Sequence, residues 1–130
     1  MIIKYKDVMI AMKYVKGFIA AYFYYLTLVA ILHLRHFGLN KIVFVLIIHA
    51  SFGVFIVLLG ALIIESINQA NAPKKRMIIF AGFIYGVSFP VLFSGGVDLD
   101  YPILIGSGLF SCLGFLIYSH FRKIKWSSDN

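Results

Sequence analysis

The chain is 130 residues long and carries 12 Lys and Arg against 5 Asp and Glu, a formal net charge of +7. Hydrophobic residues make up 62% of it and charged residues only 13%, with a mean hydropathy of +0.94, whereas a soluble domain has about 25% charged residues. One small globule cannot bury that much apolar surface, so a soluble domain is excluded and the expectation is an all-α integral membrane four-helix bundle.

Residues 1–16, MIIKYKDVMIAMKYVK, mix lysines with Ile, Met and Tyr. They read as a short cytoplasmic segment lying along the membrane surface. No small-residue cleavage site follows a short apolar core, so no removable signal peptide is expected. A spanning helix needs roughly 20 predominantly apolar residues. Four stretches meet or approach that length, at about 17–34, 42–64, 77–93 and 102–121. They make 17–121 the transmembrane domain and 122–130 a cytoplasmic tail.

In the first span Tyr22, Tyr24 and Tyr25 spread around the helix, so at least one should face inward with Thr27. His33 and His36 stand one turn apart at its end. That spacing suits two imidazoles on one metal, with Asp98 and Asp100 of the second outer loop as further donors. The plainer reading is solvated histidines or histidines bonded to loop carbonyls. Haem needs axial ligands at matching depth on different spans, and no residue of the other spans matches His49. No metal, haem or other cofactor is expected.

His49 lies inside the second span. An ionisable residue there normally faces the bundle interior or a watery cavity. On a 3.6-residue period Gly53 and Gly60 share its face, which leaves Ile47, Phe52 and Phe55 toward lipid. His49 either bonds a Tyr, Thr27 or carbonyl of a neighbouring helix, or lines a path for something polar. Glu65 closes this span and should pair with Lys74, Lys75 or Arg76. No Asp or Glu lies deep within a span, and no nucleophile constellation, phosphate-cradling loop or zinc motif occurs. The sequence does not read as an enzyme.

The third span is the shortest and carries Pro90, which predicts a kink; Tyr85 and Ser88 are its candidates for facing inward. Small residues at Ala50, Gly53, Gly60 and Ala61, at Ala81, Gly82 and Gly86, and from Gly106 to Gly114 mark faces where helices can approach closely in lipid. The Gly82-xxx-Gly86 face serves either packing within the chain or self-association. Cys112 is the single cysteine, so no intrachain disulfide forms.

Lys4, Lys6, Lys13 and Lys16, then Lys74, Lys75 and Arg76, then Arg122, Lys123 and Lys125 all fall on one side, and only Arg35 and Lys41 oppose them. The positive-inside rule puts both termini and the middle loop in the cytoplasm. The net charge therefore reflects topology and attraction to anionic lipid rather than nucleic-acid binding. Trp126 suits an interfacial anchor. The Ile, Lys and Asn content and the small size point to a bacterial inner membrane.

On the far side, Arg35, His36 and Lys41 face Asp98 and Asp100. These loop charges either simply attract one another or form a site. In the second case the cations and His36 bind a phosphate or anionic lipid head group, with the acids on sugar hydroxyls and His49 below. A shift of 60 residues aligns the two halves, with identities that include Phe23/Phe83, Tyr25/Tyr85, Ser51/Ser111 and Phe55/Phe115. Shared composition or a duplicated hairpin accounts for them.

From MKYVKGFIAAY through LRHFGLNKIV to GFLIYSHFRKIKW, over about 12–126, the chain resembles the GtrA-like family of small four-span membrane proteins. The family's usual Asn followed by basic and aromatic residues after the second span is replaced here by GALIIESINQ. The resemblance implies a role in translocating polyprenyl-phosphate-linked sugars across the bacterial membrane for cell-surface glycosylation, and membrane lipids as partners. Two other readings need only a stable bundle. One is an accessory subunit of a larger membrane complex; the other is an immunity protein against a pore-forming toxin. Another membrane protein or a second copy would then be the partner.

Overall fold

The computed structural model describes residues 5–70, 75–94 and 100–126. They form helices α1 (Tyr5–Phe37), α2 (Leu39–Ala70), α3 (Lys75–Ser94) and α4 (Tyr101–Arg122), all four long and apolar enough to cross a membrane. The protein is an all-α, multi-pass membrane bundle. At 1.5 Å per residue, α3 with 20 residues and α4 with 22 match a hydrocarbon core of about 30 Å. α1 with 33 residues and α2 with 32 are longer. Arg122, the last residue of α4, lies over the Tyr14 ring, so residues 5–13 of α1 run on past the end of α4. The N-terminal basic segment is therefore continuous with the first span from Tyr5 onward, not a separate surface helix. A regular 3.6-residue repeat with no Gly or Pro before Gly17 gives the helix no place to stop.

Gly38 alone separates α1 from α2 and has φ +76°. A Cβ there would meet nothing within 4 Å, so glycine is required by the left-handed backbone, not by crowding. The helices alternate in direction, which gathers Lys13, Lys75, Lys123 and Lys125 at one end, here called the basic end. α3 packs most closely on α4, α1 packs on both α2 and α4, and α2 touches α3 and α4 only lightly.

Small residues set the α3–α4 spacing. A Cβ on Gly82 would lie 3.1 Å from the Cys112 Cα, and one on Gly86 would collide with the Ser107 carbonyl oxygen. The Gly82-xxx-Gly86 face is thus used within the chain. α3 continues through Pro90 to Ser94. Proline lacks the N–H that would bond the carbonyl four residues back, which is that of Gly86. The Ser107 hydroxyl donates to this carbonyl at 2.6 Å, the kind of substitute donor a membrane helix needs in the absence of water. The Cys112 thiol likewise donates to the Ile79 carbonyl at 3.1 Å.

The packed core, which includes Val57, Ala61, Ile64, Ile78, Phe115 and Tyr118, lies in the half of the bundle nearer the basic end. What reads as a tail from residue 122 belongs partly to this core. Lys123 adopts a left-handed conformation (φ 60°). Its N–H bonds the His120 carbonyl, and the Ile124 N–H bonds the Ser119 carbonyl. This helix-ending motif folds the chain back, burying Ile124 and packing Trp126 on the core.

Candidate functional site

Away from the basic end the helices part around a half-open cleft of about 950 Å³, lined almost wholly by apolar atoms. Phe52, Phe55 and Ile56 of α2 form one wall, and Phe89, Pro90, Ile103 and Gly106 of α3 and α4 form the other. Its size falls at the upper end of the range for ligand sites, about 300–1,000 Å³. The cleft follows from the packing: α2 sits tightly on α1 but only lightly on α3 and α4.

The hydroxyls near the cleft are committed to other helices. Tyr22 donates to the Ala50 carbonyl of α2 at 2.7 Å, and Tyr24 to the Phe110 carbonyl of α4 at 2.7 Å. Tyr85 donates to the Ile56 carbonyl of α2 at 2.5 Å. With Tyr25, whose hydroxyl meets His49 of α2, all three tyrosines of the first span reach another helix, in keeping with the expectation of at least one. Membrane hydrogen bonds of this kind contribute on average about 0.6 kcal/mol each. Thr27 differs from expectation: it is exposed and bonds the Phe23 carbonyl of its own helix. Ser88 likewise bonds the Tyr85 carbonyl of its own helix.

His49 lines the cleft, and its Nδ1 lies 2.9 Å from the Tyr25 hydroxyl. With Tyr25 as donor, His49 carries its proton on Nε2. Gly53, one turn away, is buried with Tyr25 packed against it, and Gly60 faces Phe115 and Tyr85. Ile47, Phe52 and Phe55 are each more than 60% exposed. The helical period thus places Gly53 and Gly60 on the packed face as observed, but Phe52 and Phe55, expected toward lipid, also line the cleft. His33, which sequence spacing pairs with His36, instead lies against His49, with ring centroids 5.2 Å apart. Its Nδ1 donates to the Val29 carbonyl at 2.9 Å. The cross-helix pair escapes a reading by spacing because it depends on the one-residue turn at Gly38, which brings the ends of α1 and α2 side by side.

Arg35, Lys41 and Asp100 are exposed at the open end. Asp100 caps α4 by position only, with no side-chain cap bond. The His36 side chain and Asp98 lie outside the described residues. Among the described residues no group of three or more His, Cys, Asp or Glu converges.

The strongest electrostatic cluster is at the basic end. Glu65 accepts from Arg122 Nε at 2.8 Å and from the Tyr118 hydroxyl at 3.0 Å, and the Arg122 guanidinium sits 4.0 Å from the Tyr14 ring centre. Sequence proximity offered Lys74, Lys75 or Arg76 as the partner, and Lys74 lies outside the described residues. The pairing with Arg122 arises because the last turn of α4 lies beside Glu65, ahead of the end of α2 at Ala70. Tyr118 also lines the floor of the cleft, so this cluster closes the cleft toward the basic end.

The fold defines a small multi-pass membrane protein with a largely apolar cleft. No protein-family model, curated protein or solved structure matches the chain.

Proposed function

We propose that the protein handles a long-chain membrane lipid, taking part of its hydrocarbon chain into the cleft between α2 and the α3–α4 pair. In line with the resemblance to the GtrA-like family, the lipid is a polyprenyl-phosphate-linked sugar on its way across a bacterial inner membrane. The observation that carries this reading is the cleft: its lining is almost wholly apolar, and the Tyr24, Tyr85 and Ser107 hydroxyls on it are bonded to helix carbonyls, so most of the face it offers is hydrocarbon-like. Arg35 and Lys41 at the open end are cations suited to a phosphate, and Asp100 is an acceptor for sugar hydroxyls. The role is binding and passage, without bond chemistry. Purification from native membranes in mild detergent, followed by mass spectrometry of bound lipid, tests it. Gly106 lines the cleft and a Cβ there meets nothing within 4 Å, so Gly106→Leu fills space without strain. The variant should stay folded and retain about tenfold less polyprenyl lipid, the factor set by ~1.4 kcal/mol. Equal retention would defeat the proposal. Co-purification of a partner subunit or a toxin in place of lipid would favour one of the two interaction readings.

The orientation that belongs with this reading has both termini and the α2–α3 connection in the cytoplasm, on the strength of the cation distribution. Topology reporters fused after Asn40 should report the outside, and one after Ala72 the inside. An outside signal at Ala72 would reverse it.

A further inference from the structure

A second cavity, about 550 Å³, lies at the basic end, away from the cleft. Four lysines line it: Lys13 from α1, Lys75 from α3, and Lys123 and Lys125 from the turn after α4. His120 and Trp126 complete its rim. Among the described residues no carboxylate lines it. Glu65, the buried acid nearest this end, already accepts from Arg122 and Tyr118. Ser119 on the cavity wall is fully buried and spends its hydroxyl on the Phe115 carbonyl, so among the described residues no group of the wall neutralises the lysines.

Two features show that this is a built arrangement and not a chance run of cations. The lysines come from three separate parts of the chain, and they converge only because α1, α3 and the folded-back turn meet at one level. Two of them are placed by a backbone conformation that a lysine adopts at a penalty: Lys123 has φ 60°, which for a side chain with a Cβ costs about 1–2 kcal/mol. The same turn that carries this strain aims the chain so that Lys125 and Trp126 border the cavity. Like charges gathered around one space repel unless an anion occupies it.

We infer that this cavity binds the phosphate-bearing head group of an anionic membrane lipid. The site stands at the ends of the spans, beside an amphipathic indole of the kind that settles at head-group level. Leu116, one turn along α4 from His120 toward the membrane, starts an apolar surface for the acyl chains. A basic pocket between helix ends is the recognised physical form of such a site. The inference is independent of what the cleft holds.

Trp126 is the only tryptophan in the chain, so its fluorescence reports this cavity alone. The full chain is reconstituted in phosphatidylcholine vesicles and titrated with brominated-chain phosphatidylglycerol or, in parallel, brominated-chain phosphatidylcholine. The anionic lipid should quench Trp126 at a much lower mole fraction. Each lysine removed should weaken this preference by roughly fivefold, the factor matching about 1 kcal/mol per cation near an anionic surface. Lys123→Gly is the decisive variant, because glycine adopts the left-handed turn without strain, and loss of binding then cannot be assigned to loss of fold. Lys75→Gln and Lys125→Gln should behave alike, whereas Lys16→Gln, exposed at the same end but outside the cavity, should leave the preference unchanged. Equal quenching by both lipids, or an equal loss in Lys16→Gln, would overturn the site in favour of general surface attraction. If soluble glycerol phosphate competes with the anionic lipid one for one, the site takes a free phosphate compound and the lipid assignment fails.

Discussion

Gly86→Ala should destabilise the bundle by about 3 kcal/mol, at the top of the range for overpacking, while Gly106→Ala should leave it as stable or stabilise it by up to ~1 kcal/mol. The two glycines are twenty residues apart, on neighbouring helices, and the added atom is the same. At Gly86 a Cβ would strike the Ser107 carbonyl oxygen and come within 2.9 Å of the Gly108 Cα. Both are backbone, so no rotamer change can make room and α4 must move as a whole. That movement would also break the bond from the Ser107 hydroxyl to the Gly86 carbonyl. Pro90 has no N–H to give this carbonyl, where the regular helix would place its donor. At Gly106 the Cβ enters the open cleft, so only the helix-propensity gain remains. Thermal unfolding of the detergent-purified variants, followed by loss of the monodisperse peak on size exclusion, measures both. A Gly86→Ala protein as stable as the parent would mean that α3 and α4 are not in contact as described.

This contrast also shows what the sequence could reveal. Segment hydropathy sufficed for four spans, since a membrane crossing is set by length and composition. The face of α2 was legible because its helical period places His49, Gly53 and Gly60 on one stripe, and an imidazole needs a partner in hydrocarbon. Tyr25 supplies it. The cleft was not legible. It depends on how closely α2 is held to α3 and α4, which it touches only lightly, and hydropathy and helical period do not encode that spacing. Nor was the asymmetry between the hairpins. The 60-residue repeat pairs Tyr25 with Tyr85, yet both hydroxyls end on α2, Tyr25 at His49 and Tyr85 at Ile56. A faithful repeat would send the second to α4. The halves share a helical-hairpin form and differ in packing: Gly82, Gly86 and Gly108 bring α3 and α4 together, whereas at the α1–α2 seam Tyr25 lies over Gly53 and the cleft opens between the two hairpins. The charges at the open end, Arg35, Lys41 and Asp100, were visible as residue types but sit exposed, so their geometry adds little to what their chemistry already implied.

Glu65→Leu should be the most damaging single change at the basic end, at about 3–5 kcal/mol, and Arg122→Leu should cost nearly as much. Their side chains are only 12% and 13% exposed. Removing one partner strands the other charge in a place that solvates it poorly, which is the costly way to break a buried pair. The arginine has some relief available, since its stem can carry the guanidinium toward water at the membrane surface, and the Tyr14 ring beneath it offers a further ~0.5–2 kcal/mol. Glu65 holds three helices at once, accepting from Tyr118 and Arg122 of α4 while Arg122 lies on Tyr14 of α1, so its loss loosens the floor of the cleft as well. Removing both charges together should be far milder than the sum of the two, because an apolar pair of similar volume replaces a buried ion pair at little net cost. The double-mutant cycle in a reversible unfolding assay should therefore give a coupling above about 1 kcal/mol, within the range for residues in direct contact. The charge-reversed double variant, Glu65→Arg with Arg122→Glu, should recover part of the loss, and less than all of it, because the arginine then leaves the Tyr14 ring and the Tyr118 hydroxyl must find the new carboxylate on its own helix. Simple additivity of the two single losses would show that the 2.8 Å contact does not hold α2 to α4.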